Sequence, residues 1–285
     1  VAGAAAFLVL LVGFSVFALV QAAQLRQQAE ATVLERDRAG VATDFLASIF
    51  ETNDPNQAQG GMLTAREILA NGADRIETEL AGQTQMQVYL FNVIGEIYQN
   101  LGLYDEARTL LQKAIALAHT LPPDDDDLPT ALFDLAEIEV LTSNFTRADS
   151  LIRAGLALRG TAYPHVSHVA SVGLQSLAYV LINQSRLDEA EPLLQEAAEV
   201  TRAVQPASSP ELAAVLATWA NLHEQQGQFD EAARLYRDVL AIRRIHYGEL
   251  HTDVGETLNN LSIVLSSLGQ TAEAESLAVQ SLAVT

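Results

Sequence analysis

The stretch LYDEARTLL, residues 103–111, recurs in variant form as NFTRADSLI at 144–152, RLDEAEPLL at 186–194, QFDEAARLY at 228–236 and QTAEAESLA at 270–278. The alanine at the centre of each stretch is Ala107, Ala148, Ala190, Ala232 and Ala274, with separations of 41, 42, 42 and 42 residues. A fixed period of this length is typical of a stacked helical array, because one unit alone cannot bury its apolar face. The period therefore predicts an all-α array that acts as a binding scaffold.

Each unit has the pattern of two helices joined by a short turn. Two large apolar residues three positions apart mark the core face of the first helix, from Phe91 and Ile94 in the first unit to Leu258 and Leu261 in the fifth. The turns contain Gly102, Ser143, Ser185, Gly227 and Gly269. Glycine suits the end of a helix because it tolerates positive φ. The recurring alanine is then expected to begin the packed face of the second helix.

This layout of small, aromatic and alanine positions resembles the tetratricopeptide repeat, whose usual unit is a helix–turn–helix of about 34 residues. The longer period is similar to the repeats of kinesin light chains and of many bacterial regulators, as in YGELHTDVGETLNNLSIVLSSLGQTAEAESLAVQSL at residues 247–282. The resemblance implies a right-handed solenoid of helical hairpins. Glu139 and His223 depart from it, since their position is often aromatic, and Thr271 and Ala278 are smaller than usual.

The first twenty residues contain no charge, and Ser15 is their one clearly polar side chain. A helix of that length spans about 30 Å, the hydrocarbon thickness of a bilayer. We therefore predict a transmembrane helix at residues 1–20, and a single-pass protein of a bacterial inner membrane. The side of the membrane that holds the repeats is left open. A signal-peptide apolar region and a buried core helix are the alternatives.

The rest of the chain divides into three parts. Residues 21–52 are predicted to form a juxtamembrane stalk helix, for which a homodimeric coiled coil remains open. Residues 53–84 are expected to hold a loop and a degenerate opening repeat, in which Thr64 caps a helix and Ala65 lies one period before Ala107. Residues 85–285 are predicted to form five repeats.

A second resemblance concerns the segment before the repeats. The predicted span and stalk, with TDFLASIFETNDP at 43–55 and LTAREILANGADRIETEL at 63–80, are similar to the C-terminal half of bacterial transmembrane serine/threonine protein kinases. The resemblance implies the sensing or regulatory region of a membrane-anchored signalling protein. A glycine-rich phosphate loop, an HRD motif and a DFG motif are all missing, so these residues are not expected to be an enzyme. The alternative is a membrane-tethered adaptor for protein-complex assembly without a catalytic domain.

The composition excludes several classes of partner. The net charge is −20, with 36 acidic against 16 basic residues, which argues against binding to nucleic acid or to an anionic lipid surface. The chain has no cysteine, and the four consecutive aspartates at 124–127 lack the ligand spacing of a calcium loop. His165 and His168 lack further ligands for a metal. No metal and no cofactor are therefore expected.

In the resembled family the first helices line a concave groove, so the resemblance implies groove positions here. They are Tyr89, Asn92, Glu96, Gln99, Phe133, Glu137, Gln175, Tyr179, Asn183, Asn221, Glu224, Gln225, Glu256, Asn259 and Ile263. Amide side chains suit an extended peptide because they donate and accept hydrogen bonds; the alternative is that these positions are solvated polar faces.

The first helices contain no Lys or Arg (residues 88–101, 129–142, 171–184, 213–226 and 255–268). The basic residues with which chaperone-tail receptors of this family hold a carboxylate are therefore missing. The expected partner is a protein or peptide ligand that is neutral or cationic.

Overall fold

The computed structural model describes residues 36, 38–49, 64–121, 127–162 and 168–284. The regular structure within these residues is entirely helical, and the chain divides into two compact units, Val1–Leu90 and Phe91–Thr285. The helices are α1 (residues 38–49), α2 (Ala65–Glu79), α3 (Thr84–Asn100), α4 (Tyr104–Ala118), α5 (Asp127–Leu141), α6 (Phe145–Ala162), α7 (His168–Asn183), α8 (Leu187–Val204), α9 (Pro210–Gln225), α10 (Phe229–Tyr247), α11 (Thr252–Ser267) and α12 (Thr271–Leu282).

In the first unit, α1 packs against α2. Ile49 is buried directly over Gly72, where an added Cβ would overlap the isoleucine side chain. The Arg75 guanidinium lies 5.3 Å from the centre of the Phe45 ring, and its Nη2 donates to Ser48 Oγ at 3.3 Å. An apolar contact, a cation–π contact and a hydrogen bond therefore join these two helices.

The start of α2 carries the predicted cap. The Glu67 N–H donates to Thr64 Oγ1 at 3.3 Å, and the Thr64 N–H donates to the Glu67 carboxylate at 2.8 Å, which together form a capping box. Ala65, however, is exposed in the first turn and does not play the part of Ala107. The buried face of α2 begins four residues later, at Leu69.

The second unit is a series of helical hairpins. α5 pairs with α6, α7 with α8, α9 with α10 and α11 with α12, and consecutive hairpins meet through α4–α5, α6–α7, α8–α9 and α10–α11. Gly95 of α3 lies close to Leu111 of α4, since an added Cβ would come within 3.1 Å of the leucine. The predicted all-α solenoid of hairpins is confirmed.

The recurring alanines lie in the seam of this solenoid. Ala107, Ala148, Ala190 and Ala232 are 0% exposed, and Ala274 is 5% exposed. A larger side chain at these positions would force the second helix away from its partner, because a close-packed interior has no spare volume. The prediction that each alanine begins a packed face is confirmed.

The hairpin turns repeat one backbone geometry. Positive φ occurs at Gly102 (72°), Ser143 (59°), Ser185 (60°), Gly227 (75°) and Gly269 (77°). At Ser185 the N–H donates to the Ile182 carbonyl, and the next N–H, that of Arg186, donates to the Leu181 carbonyl, both at 2.9 Å. This Schellman arrangement satisfies carbonyls at the helix end. The predicted turn positions are confirmed, and at two of them a serine holds the strained conformation.

A buried carboxylate joins the first two hairpins. Glu139 on α5 is 1% exposed. The equivalent residue of the first hairpin is the buried aromatic Tyr98. It accepts from Arg108 Nε on α4 at 3.0 Å and from Asn144 Nδ2 at 2.9 Å, and Arg147 Nη1 lies 3.4 Å away. These hydrogen bonds replace the contacts that an aromatic ring makes at this position, so the departure from the usual repeat pattern has a structural basis.

The membrane prediction requires a correction. The transmembrane helix assigned to residues 1–20, and most of the stalk assigned to residues 21–52, lie outside the described residues. Across the described ranges, each helix is too short or too polar to cross a bilayer. The predicted localisation as a single-pass membrane protein is contradicted by this finding, and the physical reason is that these helices confine their apolar residues to one face.

Candidate functional site

The first helices of successive hairpins lie side by side. α7 contacts α5 on one side and α9 on the other, and Gln175 Nε2 on α7 donates to Thr218 Oγ1 on α9 at 3.1 Å. Because the period carries equivalent positions from one hairpin to the next, these side chains form rows across the first helices.

One of these rows, here named the exposed row, has one member on each first helix: Glu96, Glu137, Tyr179, Asn221 and Ile263. Both glutamates are exposed and the asparagine is half-buried, whereas the tyrosine is 43% and the isoleucine 47% exposed. All five belong to the predicted groove positions. The row passes from acidic through aromatic and amide to aliphatic chemistry.

Two predicted amides flank the middle of this row. Asn183 and Gln225 are exposed one turn further along α7 and α9. Asn183 Nδ2 donates to the Tyr179 carbonyl at 2.8 Å, and Gln225 Nε2 donates to Asn221 Oδ1 at 3.1 Å. These bonds are within a helix, so they hold the amides against the surface without linking hairpins.

At the far end, Glu256 and Asn259 of α11 are exposed. Arg243 Nη1 from α10 lies 3.4 Å from Glu256 and donates at 2.8 Å to Thr257 Oγ1. The acidic character of Glu256 is therefore partly neutralised. A groove of about 550 Å³ opens between α11 and α12, with Ile263 and Ala274 in its lining.

Glu224 of α9 is half-buried rather than on the open surface. The hydroxyl of Tyr236, a buried residue of α10, donates to Glu224 Oε2 at 3.4 Å. Burial raises the pKa of Glu224, and this hydrogen bond opposes the rise. The interaction fixes Glu224 within its hairpin.

Other predicted groove residues are less accessible. Phe133 is 7% and Asn92 9% exposed, whereas Tyr89, in the first unit, and Gln99 are half-buried. The Phe133 ring occupies the space that side chains would need at two glycines of α6 and α7. The structure thus makes Phe133 a packing residue. The accessible predicted positions are the exposed row together with Asn183, Gln225, Glu256 and Asn259.

Asp134 was not among the predicted positions. Burial raises its pKa from 3.8 to about 7, and the neighbouring carboxylates of Glu137 and Glu96 add to the rise. Its counterparts in the other hairpins, one period apart, are Val93, Ser176, Thr218 and Asn260. A carboxylate where the other units have uncharged residues was the sequence signal that could have identified it.

Comparison with known proteins bears on the family. The tetratricopeptide repeat model matches residues 85–160, 170–245 and 211–285. BtubC (BKLC) from P. vanneervenii is similar in structure, with a TM-score of 0.69 and 22% identity, covering 78% of this chain and 91% of that chain. No curated protein sequence matches this chain significantly.

Two further solved structures are similar. A putative kinesin light chain from Podosopora anserina with nearly identical TPR-like repeats has a TM-score of 0.57 and 21% identity, covering 70% of this chain and 94% of that chain. A Rap protein complexed with Competence and Sporulation Factor has a TM-score of 0.61 and 16% identity, covering 77% of this chain and 59% of that chain. At these identities the likeness shows the fold alone.

The fold is typical of non-catalytic scaffolds, and no catalytic motif is indicated. The matched ranges cover more than half of the sequence, and their boundaries fall close to the starts and ends of helices among α3 to α12. The chain therefore belongs to the tetratricopeptide repeat family.

Proposed function

We propose that this chain binds a protein or peptide segment along the exposed row. The observation that carries the proposal is that neighbouring first helices each present one accessible side chain at the same position, and that their chemistry changes along the row. Proteins of this repeat family bind peptide or protein partners. A segment lying across the hairpins would therefore meet a defined series of contacts.

Tyr179 is the central anchor of this surface. An exposed tyrosine offers a large rigid contact area at a low cost in side-chain entropy, and such residues are enriched among those that dominate binding. Asn221 lies beside it on the next helix, with an amide that can both donate to and accept from an extended backbone. The two together favour a peptide that presents an apolar side chain and an adjacent backbone amide.

The charge of the surface limits the partner. The first helices have no Lys or Arg, and Glu96 and Glu137 lie at one end of the row. An acidic segment would be repelled, so the proposed partner is neutral or cationic. Recovery of mainly acidic, salt-sensitive binders from a peptide array would contradict this part of the proposal.

A random peptide library selected against the chain tests the proposal. Tyr179→Ala should weaken binding of the selected peptides by roughly tenfold or more, as expected for a binding hot spot. The matched control is Tyr247→Ala, which removes a 37% exposed tyrosine from α10, a second helix. Equal effects of the two variants, or no effect of either, would refute a site on the exposed row.

At the level of the whole protein, we propose that this binding serves a regulatory region of a signalling protein with a protein kinase domain. The support is the resemblance of residues 43–55 and 63–80 to the segment before the repeats in such kinases. Within these stretches, residues 43–49 and 65–79 also pack together in the first unit, where Ile49 lies over Gly72.

The complete reading frame tests this proposal. A domain with a glycine-rich loop, an HRD motif and a DFG motif is expected upstream. A reading frame without one would favour the alternative, an adaptor for complex assembly.

A further inference from the structure

Three carboxylates gather at one end of the exposed row, on two neighbouring hairpins. Glu96 belongs to α3, and Asp134 and Glu137 belong to α5. Asp134 and Glu137 are three residues apart on α5 and therefore neighbours on one helix face, and Glu96 occupies the position of Glu137 on the preceding first helix. Both glutamates act electrostatically on Asp134. The three carboxylates are named the acidic site below, together with Asn92.

The repeat geometry places Asn92 beside Asp134. Their counterparts two hairpins further on are Gln175 and Thr218, which are hydrogen-bonded across neighbouring first helices at 3.1 Å. Asn92 on α3 corresponds to Gln175 on α7, and Asp134 on α5 corresponds to Thr218 on α9. Asn92 therefore occupies the position on α3 that faces Asp134 on the next first helix. It also lies one helical turn before Glu96 on the same face of α3.

Asn92 supplies an observation independent of the carboxylates. It is 9% exposed, and its Oδ1 has no hydrogen-bond partner among the described residues. A buried acceptor without a donor is unfavourable, and such groups are rare in native proteins. The other members of the acidic site are carboxyl groups, which when ionised accept hydrogen bonds but do not donate them. A ligand that donates several hydrogen bonds and carries positive charge would satisfy all of these groups.

The charged side chains that the first helices place around Asp134 are all negative. α3 contributes Glu96, α5 contributes Glu137, and α7, on the other side of α5, has no charged residue at 171–184. On the second helix α4, Arg108 is engaged elsewhere, at 2.6 Å from Asp105 Oδ1 and 3.0 Å from Glu139 Oε1. These first helices therefore supply no counter-ion for Asp134.

The spacing of the carboxylates favours an organic cation over a metal ion. No group of three or more His, Cys, Asp or Glu side chains converges closely enough to hold a metal within the part of the chain that the structure describes. An ammonium or guanidinium group carries its donors on a long side chain and can bridge more widely spaced acceptors. Tyr179, next along the exposed row, can contact the aliphatic stem of such a side chain.

We infer that the acidic site, Asn92, Glu96, Asp134 and Glu137, binds a lysine or arginine side chain of the partner segment. The inference rests on the proposed function, because that segment is the one that would lie along the exposed row. It makes the partner cationic at the α3–α5 end and apolar where it crosses α7.

The first experiment tests the acidic site without a peptide. The carboxyl carbon of Asp134 is titrated by NMR in the full chain with ethylguanidinium chloride, with n-butylammonium chloride, and with sodium chloride at equal ionic strength. Each organic cation should lower the Asp134 midpoint by about one unit or more relative to sodium, because a nearby positive charge favours the ionised form. This lowering should disappear in a Glu96→Gln/Glu137→Gln double variant and persist in Glu275→Gln, an exposed carboxylate on α12. Equal Asp134 midpoints in all three salts would overturn the inference. A further titration with calcium chloride serves as the metal control, and a lowering of the midpoint seen only in that salt would also overturn the inference.

The second experiment uses the peptide library. Peptides selected by the wild-type chain should share a Lys or Arg at one position, and Asp134→Asn should reduce their affinity roughly tenfold, the value of a charge-assisted hydrogen bond. The Asp74→Asn variant, an exposed carboxylate of α2, should bind like the wild type. Peptides that depend on Tyr179 but show no Lys or Arg preference would refute this inference and leave the proposed function standing. A library without any peptide that depends on the exposed row would refute both.

Discussion

Replacing Asp134 by asparagine should change how the stability of this chain depends on pH. In the folded chain, burial and the carboxylates of Glu137 and Glu96 raise the pKa of Asp134 from 3.8 to about 7. The folded state therefore binds more protons than the unfolded state between these values. The stabilising contribution of the protonated carboxyl is complete below the unfolded pKa and is lost as the pH rises through the folded pKa.

The size of the effect follows from the shift. One pKa unit corresponds to about 1.4 kcal/mol, so a shift of about three units corresponds to ~4 kcal/mol once both states are ionised. Between about pH 5 and about pH 8, the contribution of this group to the free energy of unfolding falls by ~2–3 kcal/mol. Because Asp134 is only half-buried, water screens part of the charge and this value is an upper limit.

Urea unfolding followed by circular dichroism at several pH values measures the effect. Asp134→Asn should match the wild type near about pH 4 and gain stability relative to it up to about pH 7, with a constant advantage at higher pH. Asp74→Asn serves as the control, since Asp74 is exposed in the middle of α2. Parallel pH curves for the wild type and Asp134→Asn would falsify the assignment of a raised pKa.

Three further predictions concern packing and turns, and each is checked by the midpoint of urea unfolding. Ser185→Gly should stabilise the chain by ~0.5–1 kcal/mol, because glycine adopts the φ of 60° without strain; Gly227→Ser should destabilise it by a similar amount. Gly173→Ala should destabilise by ~1–3 kcal/mol, since the added Cβ would overlap the Phe133 ring. Glu139→Gln should cost ~1–3 kcal/mol, because it removes the ionised partner of a guanidinium hydrogen bond at 3.0 Å.

Gly173→Ala and Glu139→Gln each have a matched control. A Phe133→Leu background should reduce the cost of Gly173→Ala, since the smaller side chain leaves room for the methyl group; an unchanged cost would show that another contact is responsible. Glu189→Gln breaks an ion pair with Arg186 at 2.7 Å between side chains that are 54% and 38% exposed. It should cost less than ~1 kcal/mol, and a loss as large as that of Glu139→Gln would refute a special role for the buried carboxylate. A destabilising Ser185→Gly would refute strain at that turn.

The repeat architecture could be predicted because its causes are local. The alanine at position 190 and its counterparts recur where only a small side chain fits between paired helices, and all are buried. The turn positions were predictable for the same reason, since a left-handed residue must follow each first helix. A period in the sequence therefore translates directly into a period in the fold.

The accessible surface was harder to predict. Phe133 occupies a position that faces the groove in the resembled family, but Gly155 and Gly173 on other helices leave space that its ring fills. That space depends on residues distant in sequence, so the pattern of α5 alone does not reveal it. Asp134 was missed because its pKa is raised first by burial in the folded chain, then by Glu137, and then by Glu96, which lies on another hairpin.

The membrane prediction failed for a different reason. It rested on the composition of residues 1–20 alone, which resembles that of a spanning helix. The described helices are amphipathic, and none meets the length and hydropathy of a span. The prediction that Ala65 corresponds to Ala107 was wrong in a similar way. Its separation from Ala107 fits the period, but Ala65 lies in the first, exposed turn of α2, because the period gives the spacing of residues and not where a helix begins.

The side-by-side arrangement of α5, α7 and α9 also sets a length scale for recognition. Packed helices lie about 10 Å apart, and an extended peptide advances about 3.3 Å per residue. Roughly every third residue of a bound segment would then face the next hairpin. The solenoid would act as a molecular ruler, so an insertion of a single residue into a partner motif should shift all contacts beyond it out of phase.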